Sequence, residues 1–275
     1  MSRCTLLVSV ALSISLLPQT VGNAINRSAE THAIVEISEG CLIGGVRNTK
    51  WVEADAFGKT LKGVHKFSLY TLKGPAGEIT TRKIEQDFDC YGEWRTQTSS
   101  KAEAGIAIAS PSWNVMPRLP RAVDLKDTTY LRIVRDILRK EGIKKPDAKI
   151  SQAYKIDLDG DGKDEVVIAA NRYGQGLSEL SGIGNVTSAG DYSLVFVRKI
   201  VGEKARNIFI VKAVWLTANE AGLPRRNHIS AIADLNGDGV MDIVRYNAYH
   251  EGSSSYVTEL KRNKATGVLE CSCEH

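Results

Sequence analysis

Two stretches in the carboxyl-terminal half repeat one pattern, in which an apolar run enters an acidic turn and a second apolar run leaves it. Valine and isoleucine, which favour strands, dominate the runs on either side of each turn. The runs predicted as strands in the first copy are 149–156, 165–170, 193–200 and 207–215. Those in the second copy are 228–233, 242–247, 256–261 and 267–271. The pattern therefore predicts two antiparallel β units, 149–216 and 227–272.

The amino-terminal half alternates short apolar runs with turn residues, which is typical of a small β-rich module over 25–110. Its predicted strands are 33–37, 50–52, 66–72 and 106–109. Gly44-Gly45, Gly74-Pro75 and Ser99-Ser100 are expected to interrupt these strands, because glycine, proline and serine favour turns. Residues 111–126 contain three prolines and are predicted to be a linker.

One helix is predicted over 128–141, at the start of the carboxyl-terminal part 127–275. Its apolar residues recur at helical spacing and are Tyr130, Leu131, Val134, Ile137 and Leu138. Asp127 suits the N-cap, and Gly142 suits a left-handed position after the helix end. The predicted fold class is therefore mainly β with a minor α component, in which one helix lies between the amino-terminal module and the two β units.

The acidic turns 157–165 and 234–242 carry side-chain oxygens at positions 1, 3, 5 and 9. Calcium takes six to eight oxygen ligands at about 2.3–2.6 Å, so a short loop must direct every second side chain inward, and glycines let it curl. With position 7 included, the predicted calcium-site residues are Asp157, Asp159, Asp161, Lys163 and Glu165 in the first loop and Asp234, Asn236, Asp238, Val240 and Asp242 in the second. The alternative is a pair of acidic turns without metal, since aspartate and glycine favour turns in any case.

An EF-hand requires a glutamate at position 12 and flanking helices, and both loops lack these features. Position 12 is Ile168 in one loop and Arg245 in the other, and the flanks are strand-like. The segments 156–167 and 233–244 instead resemble FG-GAP and VCBS-type repeats of integrin-like β-propellers. The resemblance implies structural calcium and blade-like units. Because a propeller ring takes about four to eight blades, two units are expected to close against the helix or the amino-terminal module.

Position 9 distinguishes the two loops. The first has Asp164-Glu165 where the repeat usually has aspartate, so Glu165 is the ligand in register and Asp164 is the alternative. The first loop offers carboxylates at four ligand positions and the second at three, because Asn236 is neutral. Since ligand charge controls calcium affinity, the first loop is expected to bind more tightly.

The amino terminus is typical of a secretory signal peptide over 1–24, with Arg3, an apolar run over 6–17 and small residues at 22–24. Its removal would lower the net charge from +4 to +3, because it contains one arginine and no acidic residue. Such a small charge gives no indication of nucleic-acid binding, and no membrane insertion is expected after cleavage. The mature chain is expected to be secreted or periplasmic.

Four cysteines follow the predicted signal peptide, and an even number in an exported chain indicates disulfides. Four cysteines allow three pairings. Cys41 with Cys90 is preferred because both lie in the amino-terminal half. Cys271 and Cys273 would then pair with each other or with a partner.

Motifs of metalloproteases, serine hydrolases and phosphate-binding loops are missing from the sequence, and no catalytic residues are predicted. Two functional classes remain. The first is a calcium-stabilised binding or adhesion module, whose loops 171–190 and 249–255 would contact an extracellular protein or glycan. The second is a secreted hydrolase or lyase in which calcium is structural.

Overall fold

The computed structural model describes residues 31–173, 187–218, 225–249 and 252–274. Within these ranges the chain is mainly β, and its strands form three antiparallel sheets. The predicted signal peptide lies outside the described residues. So do 174–186 and 250–251, which belong to the two segments expected to contact a ligand.

The first sheet is built from the amino-terminal half, as the alternating pattern predicted. Its strands are β1 (Thr31–Glu36), β2 (Cys41–Arg47), β3 (Lys50–Val52), β4 (His65–Thr71), β5 (Gly74–Thr81), β6 (Glu85–Asp87), β7 (Glu93–Arg95) and β8 (Ile106–Ile108). The order across the sheet is β5-β4-β8-β1-β2-β7-β6, and β3 pairs with β2. A short helix, α1 (Ala54–Gly58), follows β3.

The prediction that Gly44 and Gly45 interrupt a strand is wrong, because both lie inside β2. The register between β1 and β2 shifts close to Gly44, whose φ is +130°. A Cβ at Gly45 would lie 2.3 Å from the His32 carbonyl oxygen and 2.6 Å from the Phe57 ring. Glycine is thus required here by close packing within a strand rather than by a turn.

The helix and the two predicted units are confirmed. α2 (Thr128–Lys140) is capped by the Asp127 carboxylate, which accepts hydrogen bonds from the amides of Thr129 and Tyr130. The second sheet contains β9 (Arg121–Ala122), β10 (Ile150–Ile156), β11 (Glu165–Arg172), β12 (Tyr192–Val201) and β13 (Lys204–Val214). The third contains β14 (Arg226–Ala233), β15 (Asp242–Tyr249), β16 (Gly252–Lys261) and β17 (Lys264–Glu274). Both follow chain order as meanders.

The helix and the sheets pack in layers. Val134, Ile137 and Leu138 of α2 cover one face of the second sheet. The opposite face, with Val167 and Val195, packs against the third sheet. The other face of the third sheet shares a core with the first sheet, and this core includes Val244 and Ile34, among others. The two units therefore close against both the helix and the amino-terminal module. None of the described helices is long and apolar enough to span a membrane.

The preferred disulfide pairing is wrong. Cys41 is bonded to Cys271, and Cys90 is bonded to Cys273, with Cα–Cα distances of 6.5 and 4.5 Å. Both bonds join the last strand, β17, to the amino-terminal half. Nearness along the sequence did not predict the pairing, because β17 lies against the first sheet. Cys271 and Cys273 of β17 each reach a cysteine of the amino-terminal half.

Candidate metal centre

Each acidic loop is wound around the carboxylate of its first residue. In the first loop, Asp157 Oδ1 accepts a hydrogen bond from the Gly160 amide at 2.7 Å, and Oδ2 accepts one from the Gly162 amide at 3.0 Å. Both glycines have positive φ, 76° and 83°, a conformation that is costly for other residues. The loop thus closes on itself through its own backbone.

The second loop repeats this geometry with one further hydrogen bond. Asp234 Oδ1 accepts from the amides of Gly237 at 2.8 Å and Asp238 at 3.1 Å, and Oδ2 accepts from Gly239 at 2.9 Å. Asp234 is only 4% exposed, and its burial raises the pKa of its carboxyl group. The two loops therefore share one backbone conformation but differ in burial.

The residue at position 9 ties the end of each loop to its start. Glu165 Oε2 accepts from the Leu158 amide at 2.8 Å, and Asp242 Oδ2 accepts from the Leu235 amide at 3.0 Å. Burial raises the pKa of both carboxyl groups. Asp164, the alternative at this position, turns away from the loop and forms ion pairs with other side chains, Arg121 at 2.7 Å and Lys155 at 3.4 Å.

Three carboxylates converge in the first loop. Oxygen atoms of Asp157, Asp159 and Glu165 lie within 4.8 Å of one another. A side chain from β12 already contacts two of them, because Lys199 Nζ lies 2.5 Å from Asp159 Oδ2 and 3.2 Å from Glu165 Oε1. Asp161 is exposed and accepts from the Lys163 amide. The ammonium group of Lys199 therefore offsets part of the repulsion between these carboxylates.

The carboxylates of the second loop are more buried but less tightly clustered. Asn236 and Asp242 are each 1% exposed. Asp242 Oδ1 is buried without a hydrogen-bond partner. Asp238 Oδ1 accepts from the Val240 amide, and Asp238 Oδ2 accepts from Asn236 Nδ2 at 3.2 Å. A buried carboxylate oxygen without a partner is costly, so this site is incomplete as a purely protein structure.

A glutamate from β16 faces the second loop. Glu259 Oε1 accepts a hydrogen bond from Asn236 Nδ2 at 3.4 Å and from Trp51 Nε1 at 3.1 Å. Lys261 Nζ lies 2.5 Å from the same oxygen and 3.3 Å from Asp238 Oδ2. One cationic group therefore reaches Glu259 and Asp238 together.

The two loops lie side by side and are bridged by Arg118. The Met241 amide donates to the Leu158 carbonyl at 2.8 Å, which is a direct backbone contact between the loops. Arg118 donates to the Asp157 carbonyl at 2.6 Å and to the Gly239 carbonyl at 2.6 Å. Arg118 belongs to the predicted linker 111–126, so this segment fastens the two loops together.

The same segment covers the second loop. Trp113 Nε1 donates to the Asp234 carbonyl at 2.8 Å, and the Val115 carbonyl accepts from the Asp234 amide at 2.8 Å. The Trp113 indole lies against Gly237, where a Cβ would approach the ring to 3.2 Å. The second loop is therefore held by the segment before α2 as well as by its own strands.

The sequence predicted the loop residues, whose metal binding stays a prediction, but it gave no indication of Lys199, Glu259 and Arg118. Lys199 and Glu259 lie on the third strand of each unit, far along the chain from the loops. A comparison of the two third strands could have found them as opposite charges close to the strand end. Arg118 carries no comparable signal in the sequence.

Comparison of the chain with protein-family models, with curated proteins and with solved structures finds no match. The likeness to FG-GAP and VCBS repeats therefore rests on the loop residues and stays a resemblance.

Proposed function

We propose that the chain is an exported calcium-binding protein, in which metal at the acidic loops fixes a disulfide-linked β scaffold that presents a binding surface. Support comes from the shared loop conformation, with side-chain oxygens at alternate positions. The two disulfides also support export, because such bonds persist in oxidising compartments.

The observation that carries the proposal is the buried Asp242 Oδ1, which has no partner. It lies beside Asp234 and Asp238, whose negative charges further raise the pKa of Asp242 after the effect of burial itself. A hard divalent cation would satisfy this oxygen and relieve the repulsion, and the ligands available are the oxygens that calcium prefers. The donor set therefore fits calcium.

Calcium here would act on the junction of the three sheets. The second loop connects β14 to β15 of the third sheet and contacts Leu158 of the first loop through Met241. Glu259 of β16 links the loop to the first sheet, because it accepts hydrogen bonds from Asn236 of the loop and from Trp51 on β3. A cation at this position would stabilise several layers together rather than a single hairpin.

The turn after β6 is the surface that we expect to contact a binding partner. Phe88 and Tyr91 are 82% and 80% exposed, on either side of Cys90. The turn is fixed by the bond from Cys90 to Cys273 and by Arg95, whose guanidinium donates to the Cys90 sulfur. Exposed aromatic side chains on a rigid turn with a charged surround are typical of protein contact sites.

Calcium titration of the chelator-treated protein tests the proposal. The melting temperature is expected to rise with calcium, because a ligand at about a hundred times its Kd adds about 2.7 kcal/mol to the folded state. The Asp157→Ala/Asp234→Ala variant should lose the rise. An unchanged melting curve of the wild-type protein would contradict the proposal.

Binding arrays of purified extracellular proteins and of glycans test the surface. A ligand retained by the wild-type protein should be lost by Phe88→Ala/Tyr91→Ala and kept by the control Val64→Ala, which changes an exposed side chain on another turn. Equal binding by all three proteins would place the contact elsewhere. The hydrolase or lyase alternative is tested by turnover of glycosidase, phosphatase and esterase substrates.

A further inference from the structure

The third strand of each unit brings a charged side chain to position 9 of its loop. Val166 pairs with Arg198 in the second sheet, and Ile243 pairs with Thr258 in the third. The antiparallel register therefore places Glu165 opposite Lys199. It likewise places Asp242 opposite Glu259. These neighbours of position 9 carry opposite charges.

In the first loop, the opposing lysine takes up the position of a cation. Its Nζ contacts Asp159 and Glu165 at 2.5 and 3.2 Å, and only 14% of its side chain is exposed. Glu165 is nearly fully buried, so the ion pair is poorly screened by water. A calcium ion bound by the same two carboxylates would lie close to this ammonium group and be repelled by it.

Lys199 has no equally good alternative position nearby. It borders a cavity of about 370 Å³ whose apolar lining includes Leu158, Val197, Ile208 and Leu260, and whose polar lining includes the like charges of Lys261 and Arg262 and the amide of Asn263. An ammonium group that withdrew among these apolar side chains would lose two ion pairs without gaining another.

In the second loop, the opposing glutamate adds charge of the sign that a metal requires. Glu259 Oε1 and Asp238 Oδ2 are both contacted by Lys261 Nζ, so one cation already bridges them. The Lys261 side chain is 57% exposed and can move into solvent, unlike that of Lys199. Asp242 Oδ1 of this loop is buried without a hydrogen-bond partner. In the first loop both Glu165 oxygens have partners, the Leu158 amide and Lys199 Nζ.

We propose that Lys199 replaces the metal in the first loop, and that Glu259 is a further calcium ligand of the second loop. The chain would then bind one calcium ion, at Asp234, Asp238, Asp242 and Glu259. This inference rests on the proposed calcium binding. It reverses the expected order of affinity, because the count of carboxylates along each loop omitted the residue opposite position 9.

Calorimetric titration of calcium into the full mature chain, after chelator treatment, tests this assignment. The wild-type protein should bind one ion, and Lys199→Met should bind two. Asp157→Asn should leave the wild-type stoichiometry unchanged but remove the second ion from the Lys199→Met protein. Glu259→Gln should weaken the wild-type site by about tenfold or more, since ligand charge controls affinity.

Matched controls separate these effects from a general change in charge. Lys155→Met removes another lysine beside the first loop, one that forms an ion pair with Asp164 at 3.4 Å, and should leave one ion bound. Glu78→Gln removes an exposed glutamate of the first sheet and should leave the affinity unchanged.

Three results would overturn the inference while leaving the proposed function standing. These are two ions in the wild-type protein, one ion in Lys199→Met, or an unchanged affinity in Glu259→Gln. Binding of no ion by any of the proteins would instead defeat the proposed function itself, and with it this inference.

If Lys199→Met does not fold without metal, the reciprocal change provides the test. Glu259→Lys gives the second loop the lysine of the first, and it should bind no calcium while keeping the circular dichroism spectrum of the wild-type protein. Retention of the bound ion in Glu259→Lys would contradict the assignment.

Discussion

The two acidic loops have the same backbone but different surroundings. Both wind around a first aspartate and close through the residue at position 9. The first loop is largely exposed and has Lys199 among its carboxylates. The second is buried beneath Trp113, faces Glu259 and keeps an unpaired oxygen on Asp242. The loop motif therefore specifies a backbone conformation, whereas the neighbouring strands set the charges around it.

The units that carry the loops differ in the same way. The third sheet shares a core with the first sheet and is joined to it by both disulfides. The second sheet is covered by α2 and by the third sheet. We therefore expect changes at the second loop and its unit to affect the whole molecule, and changes at the first loop to remain local.

Removal of the disulfide between Cys41 and Cys271 should have the largest effect. The bond joins residues that are 230 apart in the sequence. Cys41→Ser/Cys271→Ser, which keeps the bond between Cys90 and Cys273, should lower the free energy of unfolding by about 4 kcal/mol. Urea denaturation under oxidising conditions measures the change. A loss below about 1 kcal/mol would mean that this bond adds little to the packing of the two sheets and to the remaining bond between Cys90 and Cys273.

Replacement of the first aspartate in each loop should separate the two regions. Without metal, Asp234→Ala leaves three backbone amides lacking an acceptor and should cost about 3 kcal/mol. Asp157→Ala leaves two amides in a more exposed loop and should cost about 1 kcal/mol. Denaturation in excess chelator measures both, and equal losses would contradict the difference in burial.

The sequence predicted the parts of the fold that depend on local patterns. The loop turns, α2 and the strands of the second and third sheets follow from periodicity, capping and β-branched residues. Gly44 and Gly45 misled because close packing inside a strand and a turn both require glycine. The pairing of Cys41 with Cys271 depends on which sheet β17 contacts, and no local pattern records that choice.

In the candidate site, too, the sequence predicted what depends on the local chain and missed what depends on neighbouring strands. Glu165, rather than Asp164, closes the first loop onto the Leu158 amide, because the turn length fixes which residue lies at position 9. Lys199 and Glu259 were missed, because each reaches its loop from a neighbouring strand. Whether the loops bind metal stays a prediction.

A smaller effect is expected from the tryptophan that covers the second loop. Trp113→Phe removes the hydrogen bond to the Asp234 carbonyl and should lower the free energy of unfolding by about 1 kcal/mol. It should also reduce any calcium-dependent change in tryptophan fluorescence, because Trp113 contacts Gly237 of the loop, and Trp51, which donates to Glu259, would contribute the rest. The matched control is Trp215→Phe, since the backbone of Trp215 is hydrogen-bonded to Gly190 and Asp191, which belong to neither loop. If the fluorescence change persists in Trp113→Phe and disappears in Trp215→Phe, the change comes from Trp215 and not from the second loop.

The smallest effect is expected at Asp164 of the first loop. Its ion pairs with Arg121 and Lys155 are solvent-exposed, so Asp164→Asn should change the free energy of unfolding by less than about 1 kcal/mol. Glu165→Gln, at the adjacent buried position, should cost more, because Glu165 contacts both Leu158 and Lys199. Chemical denaturation of both variants ranks them, and the opposite order would contradict the assignment of Glu165 to position 9.

The most direct test of the central claim is the location of the metal itself. Crystals soaked in terbium, which replaces calcium at oxygen sites, should give one strong anomalous peak among Asp234, Asp238, Asp242 and Glu259. No peak is expected between Asp157, Asp159 and Glu165, where Lys199 lies. A peak at the first loop, with or without one at the second, or no peak at either loop, would contradict the account.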